Sequence, residues 1–333
     1  MGRIDSIADL GAGIRIMEIH QESQIQHTSE SRRRIALWVM VPALLLIVVR
    51  IVLWHQFFDE SDKYDRKFIE GRESVTGMHC ANDRSRWAAV AALVNHGTWE
   101  IDEIDRMRGQ QGNWGTIDKV YHSNSQGEEH FYSSKPPLFP LLIAGQYWIL
   151  HHVFGLDLLK NPLWIIKGLV MVNHGMLFGL MVWVYLRICM RFVDHRGVVI
   201  CLGLAIGFGT FLSTFAVSLN NHLPAAACVL GTISMMIRIV MDKQHSPVNY
   251  FVVGCLCALA VTFELPALAF LGLTGLWLIT KRPGLTIAYG VPGVLLVAVC
   301  FFGVNYLAHD SLLPPYAHRS DGKVVKLIDS EDA

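Results

Sequence analysis

The chain has 333 residues, 52% of them hydrophobic and only 17% charged, with a mean hydropathy of +0.37 and a formal net charge of zero. A soluble domain carries about a quarter charged residues, so this composition points away from a water-soluble globule. Zero net charge, with no basic run interleaved with aromatics, gives no argument for nucleic acid, and no nucleic-acid partner is expected.

The charge is concentrated in residues 1–34, 55–135 and 309–333. That spacing predicts an all-α integral membrane protein with about seven transmembrane helices and additional juxtamembrane helices outside. Residues 1–34 are polar, end in Arg32-Arg33-Arg34, and read as a cytoplasmic head too long for a cleavable signal peptide. Residues 35–54 are the first span, long enough at about 1.5 Å per residue to cross about 30 Å of hydrocarbon. The arginine triplet places the N-terminus in the cytoplasm, and Arg50, near the far end of the span, is expected to snorkel outward.

Residues 55–161 read as a large external loop. It opens on the solvated run Asp59-Glu60-Ser61-Asp62 and continues with a short amphipathic helix from Arg84 to His96, stopped by Gly97. Gly109 to Gly127, rich in Gly, Asn, Gln and Ser, reads as irregular loop. Pro136 to Gly155 is apolar but carries Gln146, Tyr147, Trp148 and His151-His152. Placing it as a re-entrant or interfacial helix, not a span, puts Arg187, Arg191, Arg196, Lys243 and Lys281-Arg282 all on the cytoplasmic side.

Residues 162–308 are then a bundle: 162–186 inward, 198–217 outward, 223–241 inward, two short helices within 249–280 broken at Glu264-Leu265-Pro266, and 284–307 outward. Residues 309–333 form an external C-terminal segment. Six of the seven cysteines, all but Cys80, lie in or beside apolar stretches, and no disulfide framework is indicated. The protein is expected in a cell membrane, the inner membrane in a bacterium.

This topology brings four polar stretches to the outer face: Asn82-Asp83-Arg84, Lys135-Pro136-Pro137, Asn220-Asn221-His222 and Glu264. Each has a structural and a functional reading. Asp83 suits a helix N-cap, and equally a general base or a ligand for a divalent cation. Lys135 suits an interfacial anchor, and equally a point charge held by two prolines against a phosphate. Asn220, Asn221 and His222 suit a cap, and equally the anion-facing start of a helix. Glu264 is an ionisable group at the end of an apolar helix, which is costly unless it reaches water or does chemistry.

Two of these stretches resemble the GT-C membrane glycosyltransferases, the superfamily of lipid A aminoarabinose transferases and protein O-mannosyltransferases. Asn82-Asp83-Arg84-Ser85-Arg86-Trp87, leading to Asn95-His96-Gly97 and Trp99, is similar to their first external loop. His130-Phe131-Tyr132-Ser133-Ser134-Lys135-Pro136-Pro137-Leu138 is similar to their Lys-Pro-Pro-Leu element. The resemblance implies a many-helix fold and transfer of a sugar from a polyprenyl-phosphate donor to an acceptor outside the membrane. It makes Asp83 the catalytic carboxylate and Lys135 the contact to the donor phosphate, with Arg84, Asn220, Asn221 and His222 as further substrate contacts. Where relatives often carry a second acid, this chain has Asn220-Asn221-His222, and Glu264 is the acid left to fill that role. The expected partners are membrane lipid and a lipid-linked sugar. Two rival readings are a transporter or flippase working through Glu264 and the broken helix, and a catalytically inactive membrane scaffold.

Overall fold

The structure is a computed structural model, which describes residues 30, 34–53, 80–107, 114–124 and 126–320. The Asp59–Asp62 run, nearly all of the N-terminal head and residues 321–333 lie outside the described residues.

The described chain is mostly helical. Helix α1 is Arg34–Leu53. Helix α2 is Ala81–Ala91, continued by a π-helical turn Ala92–His96, and α3 is the short Asp102–Arg106. Strands β1 (Lys119–Ser123) and β2 (Glu129–Ser133) follow, then α4 (Leu138–Phe154) and α5 (Pro162–Phe192). The remaining helices are α6 (Arg196–Phe208), α7 (Leu212–Phe215), α8 (His222–Val240), α9 (Pro247–Phe263), α10 (Ala267–Lys281) and α11 (Pro283–His309). A 3₁₀ segment, Pro315–Ser320, closes the described chain.

Four of these helices, α1, α5, α8 and α11, are long and apolar enough to cross a membrane. They and their neighbours carry large apolar side chains on their exposed faces, among them Trp38, Leu45, Trp164, Leu273 and Val299. An exposed apolar surface of this extent calls for an apolar surround. Of the seven spans expected, the other three are shorter apolar helices, α6, α9 and α10, of 13, 17 and 15 residues. The expected span 198–217 is not one helix: α6 stops at Gly209, and α7 is a separate turn. The expected break at Glu264–Pro266 is present, with α9 ending at Phe263 and α10 starting at Ala267.

Local chemistry explains the helix ends. Ser246 caps α9 by accepting from Asn249 N, with Pro247 in the first turn where no N–H is needed. Gly155 stops α4 in the left-handed conformation (φ 66°), while Gly155 N and Leu156 N bond back to His151 O and Leu150 O.

Contacts fix which helix ends lie together. Leu44 packs on Gly179, and Ile47 and Ile51 on Gly175, so α1 runs antiparallel to α5. Lys167 donates to Val52 O at 2.7 Å near the start of α5. Arg191, at the end of α5, pairs with Asp242, just beyond α8. Arg50 does not simply snorkel: its guanidinium donates to Ser213 O at 2.9 Å, tying α1 to α7. The main core lies among α1, α2, α4, α5 and the start of α8. A second cluster around Tyr250, Val253 and Leu278 joins α8, α9 and α10.

The loop between α1 and α4 differs most from the sequence reading. Helix α2 starts at Ala81, not at Arg84, and from Ser85 onward is buried on all sides: Trp87, Ala88, Val90 and Ala91 are fully enclosed. It is therefore a core helix of this layer and not an amphipathic surface helix. The stretch read as irregular contains β1, which pairs antiparallel with β2 in the register Lys119 to Ser133 and Ser123 to Glu129. Buried Asp105 holds this hairpin, accepting from Thr116 N at 2.8 Å and pairing with Lys119. Removing one partner of a buried pair costs about 3–5 kcal/mol. Asp105→Ala is therefore expected to lower the unfolding temperature sharply in detergent, while Asp102→Ala, on a more exposed side chain, costs much less.

Candidate functional site

The four polar stretches meet at one place. The hub is Arg86, one turn after Asn82 on α2 and only 6% exposed. Its Nε donates to Asn221 Oδ1 at 3.1 Å, and its terminal nitrogen donates to Leu219 O at 3.2 Å and to Asn82 O at 3.1 Å. Asn221 in turn donates to Phe263 O at 3.1 Å, at the end of α9 beside Glu264. Glu264 pairs with His222, Oε1 to Nδ1, at 2.8 Å. One chain of polar contacts thus runs from α2 through the start of α8 to the α9–α10 break.

Asp83 lies in the first turn of α2 and is 3% exposed. The cap position belongs to Cys80, three residues earlier, and Asp83 reaches back to it. This is the geometry of a carboxylate serving the orphan N–H groups of a helix start from inside the first turn. Burial pushes the Asp83 carboxyl up to about 6, against the pull of Arg86, the Cys80 hydrogen bonds and Arg84. The same burial holds the Arg86 guanidinium below its ordinary value, opposed first by Asp83 and then by Tyr316, Cys80 and Glu264. Asp83, Glu264 and Tyr316 therefore all lie in the electrostatic reach of one buried cation.

Lys135 is nearly as buried, its side chain 5% exposed. It follows directly on β2, and its N–H donates to Ser133 Oγ at 3.2 Å. Ser133 and Ser85 share a hydrogen bond at 2.7 Å, and Ser85 donates to Asp118 O at 2.6 Å, which pins the hairpin to α2. The Lys135 ammonium lies 3.4 Å from Asp118 Oδ2 and 3.4 Å from the Tyr316 hydroxyl. It is thus a paired cation in a rigid setting.

The remaining expected residues divide. Asn220 is a cap: its Oδ1 accepts from Leu223 N at 3.1 Å, and its amide donates to Phe215 O and Ser218 O. His174, fully buried within α5, sits with Nε2 against both the N–H and the C=O of Asn220, which fixes this turn. His222 is half-exposed and engaged with Glu264. Arg84 acts on Asp83 at longer range, whereas Arg86 is the arginine bonded into the cluster.

Sequence reading missed Arg86, Asp118 and Tyr316. Arg86 had a local signal, standing three residues after Asp83 on the same helix face. Asp118 and Tyr316 had none, because their partners lie far away in the chain. Among the described residues, no group of three or more His, Cys, Asp or Glu side chains is placed to hold a metal ion.

Chemically, the arrangement offers a buried carboxylate that changes charge near neutrality, two buried cations and a half-exposed His–Glu pair. All stand at one end of an apolar helix bundle. Comparison of the chain with protein-family models, with curated proteins and with solved structures returned no match.

Proposed function

We propose that this chain is a membrane glycosyltransferase that moves a sugar from a polyprenyl-phosphate donor to an acceptor hydroxyl at the outer face of the membrane. The observation that carries the reading is Asp83, a buried carboxylate raised to about 6 beside Arg86, in one polar cluster with Lys135. A general base tuned toward neutrality is what activating a hydroxyl requires. In the reaction the bond between the sugar's anomeric carbon and the phosphate oxygen breaks, and its electron pair leaves with the lipid phosphate. The acceptor oxygen bonds to the anomeric carbon and its proton passes to Asp83. Arg86 and Lys135 would meet the negative charge that gathers on the departing phosphate. The path of the chain supports an outer-face position for α4. Leu158 N donates to the Tyr147 hydroxyl and Asn95 to Asp157, so the chain after α4 folds straight back upon it.

Lys135→Gln tests the donor side. Loss of one charge-assisted hydrogen bond of about 1.5–3 kcal/mol corresponds to roughly a tenfold to hundredfold fall in kcat/KM for the lipid-linked sugar. The expected loss falls on kcat as well as KM, because the charge that Lys135 meets grows as the phosphate departs, with partial rescue by Lys135→Arg. Unchanged donor use by Lys135→Gln removes Lys135 from the site.

The His222–Glu264 pair at the break between α9 and α10 favours a second reading, a transporter with a discontinuous helix at its binding site. Substrate-coupled ion flux that is lost in Glu264→Gln, in the absence of sugar transfer, would favour it.

A further inference from the structure

A second group of rings joins three elements beside the cluster around Asp83. His122 on β1, His309 at the last residue of α11 and His318 on the 3₁₀ segment gather in ring contact, His309 and His318 stacked and the other two pairs tilted. Their ring centroids are 5.2 Å apart for His122–His309, 4.7 Å for His122–His318 and 5.9 Å for His309–His318. His122 also stacks on Tyr132 of β2 at 4.1 Å. His122 Nε2 and His309 Nδ1 are 3.0 Å apart, a hydrogen bond with room for one hydrogen. One ring donates and the other accepts. Protonating both would set two N–H groups opposite each other and place two cations in ring contact.

The segment these rings hold carries Tyr316 to the site. Its hydroxyl is 3.4 Å from Lys135 Nζ, its ring lies 5.7 Å from the same ammonium, and it falls within the electrostatic reach of Arg86. Tyr316 therefore stands against Lys135, a cation that would receive an anionic group.

We propose that Pro315–Ser320 is a strap that covers the Lys135 side of the site while the imidazole cluster is uncharged, and leaves it when the cluster takes up protons. The consequence for turnover rests on the glycosyltransferase reading; the strap itself does not. Imidazoles in water take up protons near pH ~6.5. With the strap closed, His318 lies in ring contact with both His122 and His309, so a proton on any of the three rings is opposed by its neighbours; opening takes His318 away, and the closed form binds fewer protons than the open form. The closed form is therefore favoured above that pH, and it loses ground as the pH falls, by up to tenfold per unit for each extra proton bound on opening.

Other charged groups share this neighbourhood. His130 stands opposite His122 in the hairpin register and faces Glu100, Asp102 and Glu128 at 3.6, 3.3 and 3.6 Å. Glu100, Asp102 and Asp310 act on Tyr132, and Lys135 lines the same small cavity as Tyr132 and His309. Those carboxylates temper the response and Lys135 sharpens it, but neither supplies the missing acceptor between His122 and His309.

The test is hydrogen–deuterium exchange on the full chain in lipid nanodiscs at pH 7.5 and pH 5.0, with rates corrected for intrinsic exchange. Amides of residues 316–320 are expected to be protected at pH 7.5 and to lose about tenfold or more of that protection at pH 5.0. The β1–β2 amides, as an internal control, keep theirs. In His309→Gln the amide can bond His122 without taking a proton, so protection should persist at both pH values. If that variant does not fold, His318→Gln decides in its place, with a weakened pH response expected.

The covering role is read with a prenyl sulfonate, whose charge is constant over this range. Asp83 gains a proton in both proteins, so the readout is the difference between them. Wild type should gain about tenfold more affinity on acidification than His309→Gln, following the same linkage. The proposal is overturned by equal protection at both pH values, by a full pH response in the glutamine variant, or by sulfonate binding that changes equally in both proteins. A strap that opens on schedule in a protein without sugar transfer leaves the strap standing and removes the transferase.

Discussion

Asp83→Asn is expected to lower sugar transfer by about 10²–10⁴-fold, the range for losing a positioned general base, while the protein folds at least as well as wild type. At saturating donor, the wild-type rate should fall about tenfold per pH unit on the acid side of an apparent pKa near 6 and level off above it, because only the carboxylate accepts the proton. Stability should move the opposite way. The folded-state value of about 6 lies above the ordinary 3.8, so ionising Asp83 opposes folding. The penalty is absent below pH ~4, grows through pH ~6 and is then complete, at an order of 3 kcal/mol. The neutral amide of Asn removes it and can still accept from the start of α2. Thermal unfolding of both proteins in detergent checks this: Asp83→Asn should melt higher at pH 7.5, and the difference should vanish at pH 4. A variant that melts lower at pH 7.5 would instead make Asp83 a structural cap.

The second large effect concerns the crossing of α9 and α11. A Cβ built on Gly254 would lie 2.1 Å from Gly290 O, and one built on Gly293 would lie 2.3 Å from Phe251 O. The two backbones touch, as small residues permit where apolar helices associate without a hydrophobic driving force. Neither obstacle is a flexible side chain, so the helices must separate to admit a methyl group. Gly254→Val is expected to cost about 3 kcal/mol or more, at or beyond the upper end of ordinary overpacking, and to abolish folded protein in a marginal background. Gly272→Ala on α10 is the control. Its Cβ meets nothing within 4 Å, so the change should be neutral or stabilising by up to about 1 kcal/mol. Thermal unfolding and the yield of monodisperse protein distinguish the two. Equal behaviour would mean that α9 and α11 do not cross at these glycines.

The sequence was most legible where local chemistry decides the outcome. Glu264-Leu265-Pro266 reads as a break because proline cannot continue a helix, and α9 ends there. Gly97 reads as a stop, and it adopts the left-handed conformation. It was least legible where polar residues fold under cover. Lys119–Ser123 lies in a Gly- and Asn-rich neighbourhood whose composition resembles loop, and its pairing to β2 depends on Asp105 and Ser85 across the chain. The all-round burial of α2 follows from the hairpin and α4 closing over it, which no periodicity in α2 encodes.

The site divides in the same way. Lys135 and Glu264 are visible as lone charges beside prolines or apolar runs, and Asp83 as an acid at a helix start. Arg86 owes its role to Asn221 and Leu219, 135 and 133 residues away in sequence. Asp118 and Tyr316 are ordinary residues until Lys135 is placed against them. Three short helices, α6, α9 and α10, share the bundle with four of full spanning length. An apolar run therefore reveals that a helix is buried in apolar surroundings more readily than how far it crosses.

The most direct measurement is transfer of radiolabelled sugar from synthetic polyprenyl-phosphate donors by the purified chain in proteoliposomes, wild type beside Asp83→Asn. Label should move to a water-accessible acceptor with the wild-type protein and fall by about 10²-fold or more with the variant. Full transfer by Asp83→Asn, or no transfer by a folded wild-type protein from any donor in a panel of lipid-linked sugars, would contradict the glycosyltransferase assignment.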